Sequence, residues 1–344
     1  MKKIIYILWA VSCVMMTACS EDDSIVEITS LNIVESVVDF DATGGEGFLK
    51  VENGSNEMNV TSNTDWCVIK DVTSDKVTFV VDQNNDIVSR SALIKLEFDG
   101  QSKQVAITQA GGVSEYESGV YKRFGNDAFN ADISVTSTLP ITVSISDDAK
   151  DWLNYKAIEG GFGFSGSAND TGDIRWAKVT ITSGKTSSYY YFMQYDVDNL
   201  LGNYIGISQI YSTYMQGVDG YCNIAAQISP NDNGKYIIQF PNILGDNTLS
   251  LEASYVNGMF VVETPQSQDY MVKIYYGSMI AGAGNQLLFN SKIPIAPVIS
   301  ENNVLLSYAS DTFFILGLFK EPVVSVENYA RQYTEFPAII LQKN

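Results

Sequence analysis

Arg175-Trp176-Ala177-Lys178-Val179-Thr180-Ile181-Thr182-Ser183-Gly184-Lys185-Thr186-Ser187-Ser188-Tyr189-Tyr190-Tyr191-Phe192-Met193-Gln194 is the stretch whose reading decides the fold. Apolar and outward residues alternate on both sides of a Gly-Lys pair, and a period of two is the signature of a strand with one buried face. A β-hairpin follows. Ala177, Val179, Ile181, Tyr190 and Phe192 form the inward set, which leaves Trp176, Lys178 and Thr180 outward on the first strand and Tyr189, Tyr191 and Met193 outward on the second. With Gly184-Lys185 at the centre of the turn, Trp176 faces Met193 and lies diagonal to Tyr191, while Tyr189 faces Thr180.

The same pattern occurs earlier in the chain. Trp66, Asn84, Arg90, Ala92 and Gln109 are echoed by Trp152, Asn169, Arg175, Ala177 and Gln194, at a constant spacing of 85 residues after a first step of 86. One residue of slippage over that span is the mark of a duplicated domain. The copies differ on their outward face: Ser91, Gln104, Ala106 and Thr108 stand where the later copy has Trp176, Tyr189, Tyr191 and Met193. Exposed apolar groups on a rigid sheet mark an interaction site. Either a sugar ring stacks on them or the following domain covers them.

Tryptophan, then asparagine, then Arg-x-Ala, an alternating strand and a hairpin ending in glutamine resemble the BACON family. That resemblance implies small immunoglobulin-like β-sandwiches near the N-termini of exported proteins of gut bacteria, with carbohydrate or mucin as the ligand class. It covers residues 28–112 well, and residues 113–196 chiefly from Arg175 to Gln194. Trp66 and Trp152 are then buried sandwich tryptophans.

From about Asp198 tryptophan disappears and glycine turns take a new rhythm. Strands are expected at residues 203–207, 222–228, 235–240, 248–253, 259–262, 271–276, 304–308, 313–318 and 338–341, with Asn233-Gly234 and Asn257-Gly258 as hairpin turns. The fold class read from the sequence is all-β: two immunoglobulin-like sandwiches, then a lipocalin-like barrel or another sandwich over residues 197–344.

The N-terminus carries an address. Lys2-Lys3 and the apolar run from Ile4 to Met16 form a signal-peptide pattern over residues 1–18, too short for a lasting membrane span. Met16-Thr17-Ala18-Cys19 resembles a bacterial lipobox, which makes Cys19 the lipidation residue; Cys13, inside the apolar run, is the poorer candidate. Residues 19–27 are the lipidated end and an acidic tether, and Ser20-Glu21-Asp22-Asp23 resembles an export signal to the outer face of the outer membrane. The expected location is thus the outer membrane, at the cell surface or else on the periplasmic face. Cys67 and Cys222 lie in different modules and read as separate small hydrophobes.

Composition narrows the chemistry. A formal charge of −19, or −21 once a leader holding Lys2 and Lys3 is gone, lacks the basic footprint that nucleic acid needs. The chain has no histidine, so His-dependent nucleophilic catalysis and imidazole metal sites are excluded. Gly161-Phe162-Gly163-Phe164-Ser165-Gly166 spells a dinucleotide fingerprint, but the 85-residue shift lands it on an alternating strand. Asp82-x-Asn84-x-Asp86 fails as a calcium loop because Ile87 and Leu93 stand where glycine and glutamate are required. No cofactor or metal is expected. Glu252, Glu263 and Asp269 could serve a carboxylate-dependent glycan hydrolase, yet no motif joins them. The expectation is a surface-tethered, non-catalytic binding lipoprotein for carbohydrate or mucin glycans, held to the membrane by its lipid and able to join an outer-membrane uptake complex. A structural spacer or cell-surface interaction protein is the alternative, the hydrolase the second.

Overall fold

The computed structural model describes residues 30–212, 220–244, 247–268, 276–283, 286–321 and 323–344. The signal-peptide and lipobox expectations, Cys19 and the tether included, lie outside them, as do Asp269 and most of the strand expected at 271–276. Two compact units are present. One holds the described residues up to Phe40 with Gly44–Gln83 and Arg90–Gln109; the other holds Asp41–Thr43, Asn84–Ser89 and everything from Ala110 onward.

The first unit is a sandwich of eight strands: β1 (Asn32–Val37), β2 (Asp39–Phe40), β3 (Gly45–Glu52), β4 (Asn59–Ser62), β5 (Cys67–Val72), β6 (Lys76–Val81), β7 (Arg90–Phe98) and β8 (Gln101–Gln109). One sheet runs β1-β3-β6-β5 and the other β2-β8-β7-β4, with β2 parallel to β8 at its edge. Alternation accounts for the core: Leu49, Val77, Phe79, Ala92, Ile94, Leu96 and Ile107 are fully buried between the sheets, where each large side chain contributes about 1.5–3 kcal/mol.

A second sandwich opens the other unit. Its strands are β9 (Ser114–Glu115), β10 (Val120–Phe124), β11 (Phe129–Ser134), β12 (Thr136–Ser137), β13 (Ile141–Ile145), β14 (Leu153–Ile158), β15 (Gly161–Gly166), β16 (Arg175–Ser183) and β17 (Thr186–Gln194). The sheet β10-β17-β16-β13 repeats β2-β8-β7-β4, parallel edge strand included, and β11-β15-β14 repeats β3-β6-β5. The latter sheet has three strands where its counterpart has four.

Beyond a turn at Val197–Leu200, closed by reciprocal bonds between Asp196 and Asn199, come β18 (Gly202–Ser212), β19 (Gly220–Pro230), β20 (Tyr236–Leu244), β21 (Asn247–Val256), β22 (Met259–Thr264), β23 (Gln266–Gln268), β24 (Tyr276–Ala283), β25 (Gln286–Leu288), β26 (Ser291–Ser300), β27 (Asn303–Tyr308), β28 (Phe313–Phe319) and β29 (Tyr329–Lys343). Strands β18-β19-β20-β21-β22-β26-β27-β29 pair in that order and β29 returns to β18, closing an eight-stranded barrel. The remaining four branch from β29 through β28. Full closure removes the free edges that an open sheet would present. Gly206 permits it: a Cβ there would stand 1.9 Å from the Ile340 carbonyl oxygen, where β18 meets β29. Phe240, Leu251, Phe260, Val262, Ile293 and Phe336 are among the side chains that pack its core.

The structure decides between the two forms expected for residues 197–344 in favour of a barrel. Met193 and Tyr195 of the second sandwich belong to the same buried cluster as the barrel core, so the sandwich and the barrel form one compact unit.

Candidate functional site

The residues shared by the two copies build one structural lock. In the first sandwich the Arg90 guanidinium lies over the Trp66 ring, 4.2 Å from its centroid. Arg90 Nε donates to Gln109 Oε1 at 2.8 Å and Nη2 to the Asp82 carbonyl at 2.8 Å, which also accepts from Gln109 Nε2 at 2.9 Å. In the second, Arg175 lies 4.4 Å over Trp152, donates to Gln194 Oε1 at 3.0 Å and to the Ser167 carbonyl at 2.7 Å, and Gln194 Nε2 donates to that same carbonyl at 3.1 Å. Desolvation lowers both arginine pKa values, against the nearby charge of Asp82 or Asp170. A lock with the same geometry in both copies ties a strand end to the loop before it; it belongs to the fold and not to a ligand.

The outward aromatic face is specific to the second copy. The observed register sets Trp176 opposite Met193, Thr180 opposite Tyr189 and Lys178 opposite Tyr191. Trp176 meets Tyr191 edge-on at 6.0 Å, and Tyr191 stacks on Tyr121 of β10 at 5.0 Å. An open platform would leave these rings in water. Met193 is instead 0% exposed, and Trp176, Tyr191 and Tyr121 pack against the cluster that includes the barrel core. Tyr189, at 40% exposure, stays on the surface with Lys178 over its ring at 5.0 Å. Of the two readings of this face, three members fit a cover by the following domain: Met193 is buried, and Trp176 and Tyr191 are half-buried against the cluster that includes the barrel core.

Polar contacts fix this joint. Tyr121 Oη accepts from the Ile299 amide at 3.1 Å, Arg123 Nη2 donates to the Pro297 carbonyl at 3.1 Å, and Tyr195 Oη donates to the Gly258 carbonyl at 2.7 Å. Lys343 Nζ donates to the Asn199 carbonyl at 2.9 Å. All of these fall at the barrel end where β18 begins and where the β21–β22 and β26–β27 hairpins turn, so the sandwich face closes that end. Gly258 has φ +77, and a Cβ there would press within 3.0 Å of both Arg123 and Tyr195. Burial depresses the Arg123 pKa, opposed by the tyrosines around it, and its Nε is buried with no acceptor among the described residues. Sequence reading missed Tyr121, Arg123 and Tyr195. The signal available was a tyrosine and an arginine two residues apart on a short strand, with nothing to identify their partners 178 and 174 residues on.

Glu252 and Glu263 are neighbours across the β21–β22 pair, where Gln266 Nε2 donates to the backbone carbonyls of both, at 2.7 and 3.1 Å. Glu252 is paired with Lys235, and Glu263 with Lys292 at 3.0 Å, on a partly exposed surface. Asp86 pairs with Lys185 at 2.8 Å and Asp147 with Lys150. Among the described residues no three Cys, Asp or Glu side chains gather as a metal site. Cys67 and Cys222 are free thiols, both with pKa raised by burial.

The stretch that holds Trp66, Arg90 and Gln109 also matches a family model, described as "Putative binding domain, N-terminal", over residues 55–110. Residues 55–110 match the BACON family. The BACON match thus falls on the first sandwich, within which it spans β4 to β8. Solved structures similar to the chain include a tandem from titin, with TM-score 0.36 and 7% identity over 83% of this chain and 97% of that one. A three-immunoglobulin structure of titin domains, an E-to-A variant, gives 0.28 and 7% over 64% and 96%. An endo-fucoidan hydrolase from glycoside hydrolase family 107 gives 0.21 and 8% over 40% and 28%. No curated protein matches the chain.

Proposed function

We propose that the chain is a surface-tethered, non-catalytic binding protein for carbohydrate or mucin glycans. The BACON match at residues 55–110 carries the binding part of this reading. Two features support the rest: the sequence pattern around Cys19, which fits a lipid anchor, and the engagement of both Glu252 and Glu263 in ion pairs with Lys235 and Lys292. The second sandwich, with its repeated lock, is a second BACON-like module in this reading. In this reading its ligand surface lies away from the Trp176 face, where Met193 is buried in the cluster that includes the barrel core. Tethering at the outer membrane places the protein beside an uptake complex.

The spacer reading has one observation in its favour. Met193 and Tyr195 of the second sandwich join the buried cluster of the barrel, which suits a stiff stalk. A glycan array probed with the purified chain separates the two: selective binding to one glycan class supports the proposal, and a silent array favours the spacer. Trp176→Ala and Tyr191→Ala are expected to lower stability while leaving any array pattern unchanged. Palmitate labelling in a lipoprotein-processing host tests the anchor, with loss of label on Cys19→Ala as the expected result.

A further inference from the structure

The glycine-rich stretch Gly161–Gly166 forms β15 of the second sandwich. On β15 the side chains facing out of the sandwich are those of Gly161, Gly163 and Ser165, since Phe162 and Phe164 turn inward to the core. Their partners in register are Ser134, Asp132 and Asn130 on β11 and Ile158, Lys156 and Asn154 on β14. A central strand nearly without side chains between two strands that carry them makes a trough, with a cleft of about 370 Å³ over Gly163.

The first sandwich shows that the trough is not imposed by the fold. The equivalent outward positions on β6 are Lys76, Thr78 and Val80, with Phe48 beside Thr78 and the Lys76 ammonium 4.8 Å over that ring. The central strand carries side chains at these positions in one copy; in the other, Gly163 has none and lies beneath Asp132, Ile158 and Lys156 of the flanking strands. A second cleft of about 400 Å³ lies between β13 and β14, lined by Val143, Ser144, Lys150 and Leu153, and it shares Asn154 and Tyr155 with the first. Tyr155 is 44% exposed, and its hydroxyl donates to the Val143 carbonyl at 3.2 Å. Each cleft lies within the usual range for small-ligand sites, roughly 300–1,000 Å³.

We infer that this trough and its neighbour form an extended site for a neutral, hydroxyl-rich chain, an oligosaccharide, running along β15 and over the β14 edge at Tyr155. The side chains select that class. Asn130, Asn154 and Ser165 each donate and accept, which matches hydroxyls that do both. An apolar ligand would leave those groups without partners, at a cost of about 1–3 kcal/mol for each one buried. An anion would face Asp132 and a cation Lys156. The site rests on the carbohydrate reading proposed above and gives it a location.

Isothermal titration of the full chain with xylohexaose, cellohexaose and released mucin O-glycans tests it. Gly163→Thr installs the residue of the first copy; Gly163 has an ordinary strand conformation, and a Cβ there meets only side-chain atoms, of which Asp132 Oδ1 at 3.2 Å must shift slightly. Circular dichroism and the urea midpoint of the variant check that it folds. Gly163→Thr and Asn154→Ala are each expected to weaken binding about tenfold or more, while Thr78→Gly leaves it unchanged. Wild-type binding with both variants within about twofold of it overturns the trough as the site and leaves the carbohydrate reading standing. A chain that binds none of the three glycans overturns that reading, and the ligand class of the trough with it.

Discussion

The two sandwiches share a lock and a strand order, yet their outer surfaces have opposite fates. On β7 and β8 of the first, Ser91, Leu93, Gln104, Ala106 and Thr108 face water. On β16 and β17 of the second, Trp176, Tyr191 and Met193 lie against the barrel cluster. The opposite sheets differ the other way: β6 carries Lys76, Thr78 and Val80 outward, and β15 is nearly bare. A duplicated fold can thus keep its core and change its faces independently, because inward and outward residues alternate and only the inward set decides whether the sandwich closes.

The largest expected effect probes what the copies share. Trp66→Ala and Trp152→Ala should each cost about 3–5 kcal/mol in chemical denaturation, since both leave a cavity under an arginine. A loss in one copy only would break the equivalence of the locks. Next comes a matched pair at one repeat position. Met193→Lys should cost about 3 kcal/mol or more, because the charge enters a packed core; Thr108→Lys should stay within about 0.5 kcal/mol. Equal costs would mean that the second face is as open as the first. Smaller still, Trp176→Ser, which installs the first copy's residue, should cost about 2 kcal/mol through lost packing, measured as a shift in the urea midpoint.

Alkaline pH should sharpen the contrast without any mutation. Burial pushes Tyr255 up to about 12 and raises Tyr195, Tyr204 and Tyr308 as well, whereas residues 7–115 hold no tyrosine. A tyrosine whose folded pKa is raised loses its stabilising contribution once the unfolded chain begins to ionise, from about pH 10 upward. The urea midpoint of the second unit is expected to fall between about pH 10 and about pH 12, with that of the first unaffected by tyrosine ionisation.

Much of the fold was legible. Alternation and the 85-residue repeat gave both sandwiches and the register of the β16–β17 hairpin, since a period of two and a turn centre suffice to pair strands. Strand β26 was not legible: Pro294 and Pro297 argue against a strand in the middle of a sheet, yet both sit in its ladders with β22 and β27. The outward direction of Trp176, Tyr191 and Met193 could be read, but not what covers them. Which surface meets which depends on tertiary contacts such as Arg123 with Pro297, which leave no periodic trace in the sequence. Gly163 was visible from the start, and its meaning required knowing that Asp132 and Lys156 flank it.

The second sandwich and the barrel form one compact unit, joined at the Trp176 face, and are expected to unfold together. A chain starting at Ser20 and carrying Trp66→Phe and Cys67→Ala keeps Trp152 and Trp176 as reporters of the sandwich and Cys222 as the reporter of the barrel. Urea unfolding followed by tryptophan fluorescence and by Cys222 labelling should give coincident midpoints. Midpoints that separate, with the barrel thiol exposed while the sandwich tryptophans stay folded or the reverse, would contradict the account.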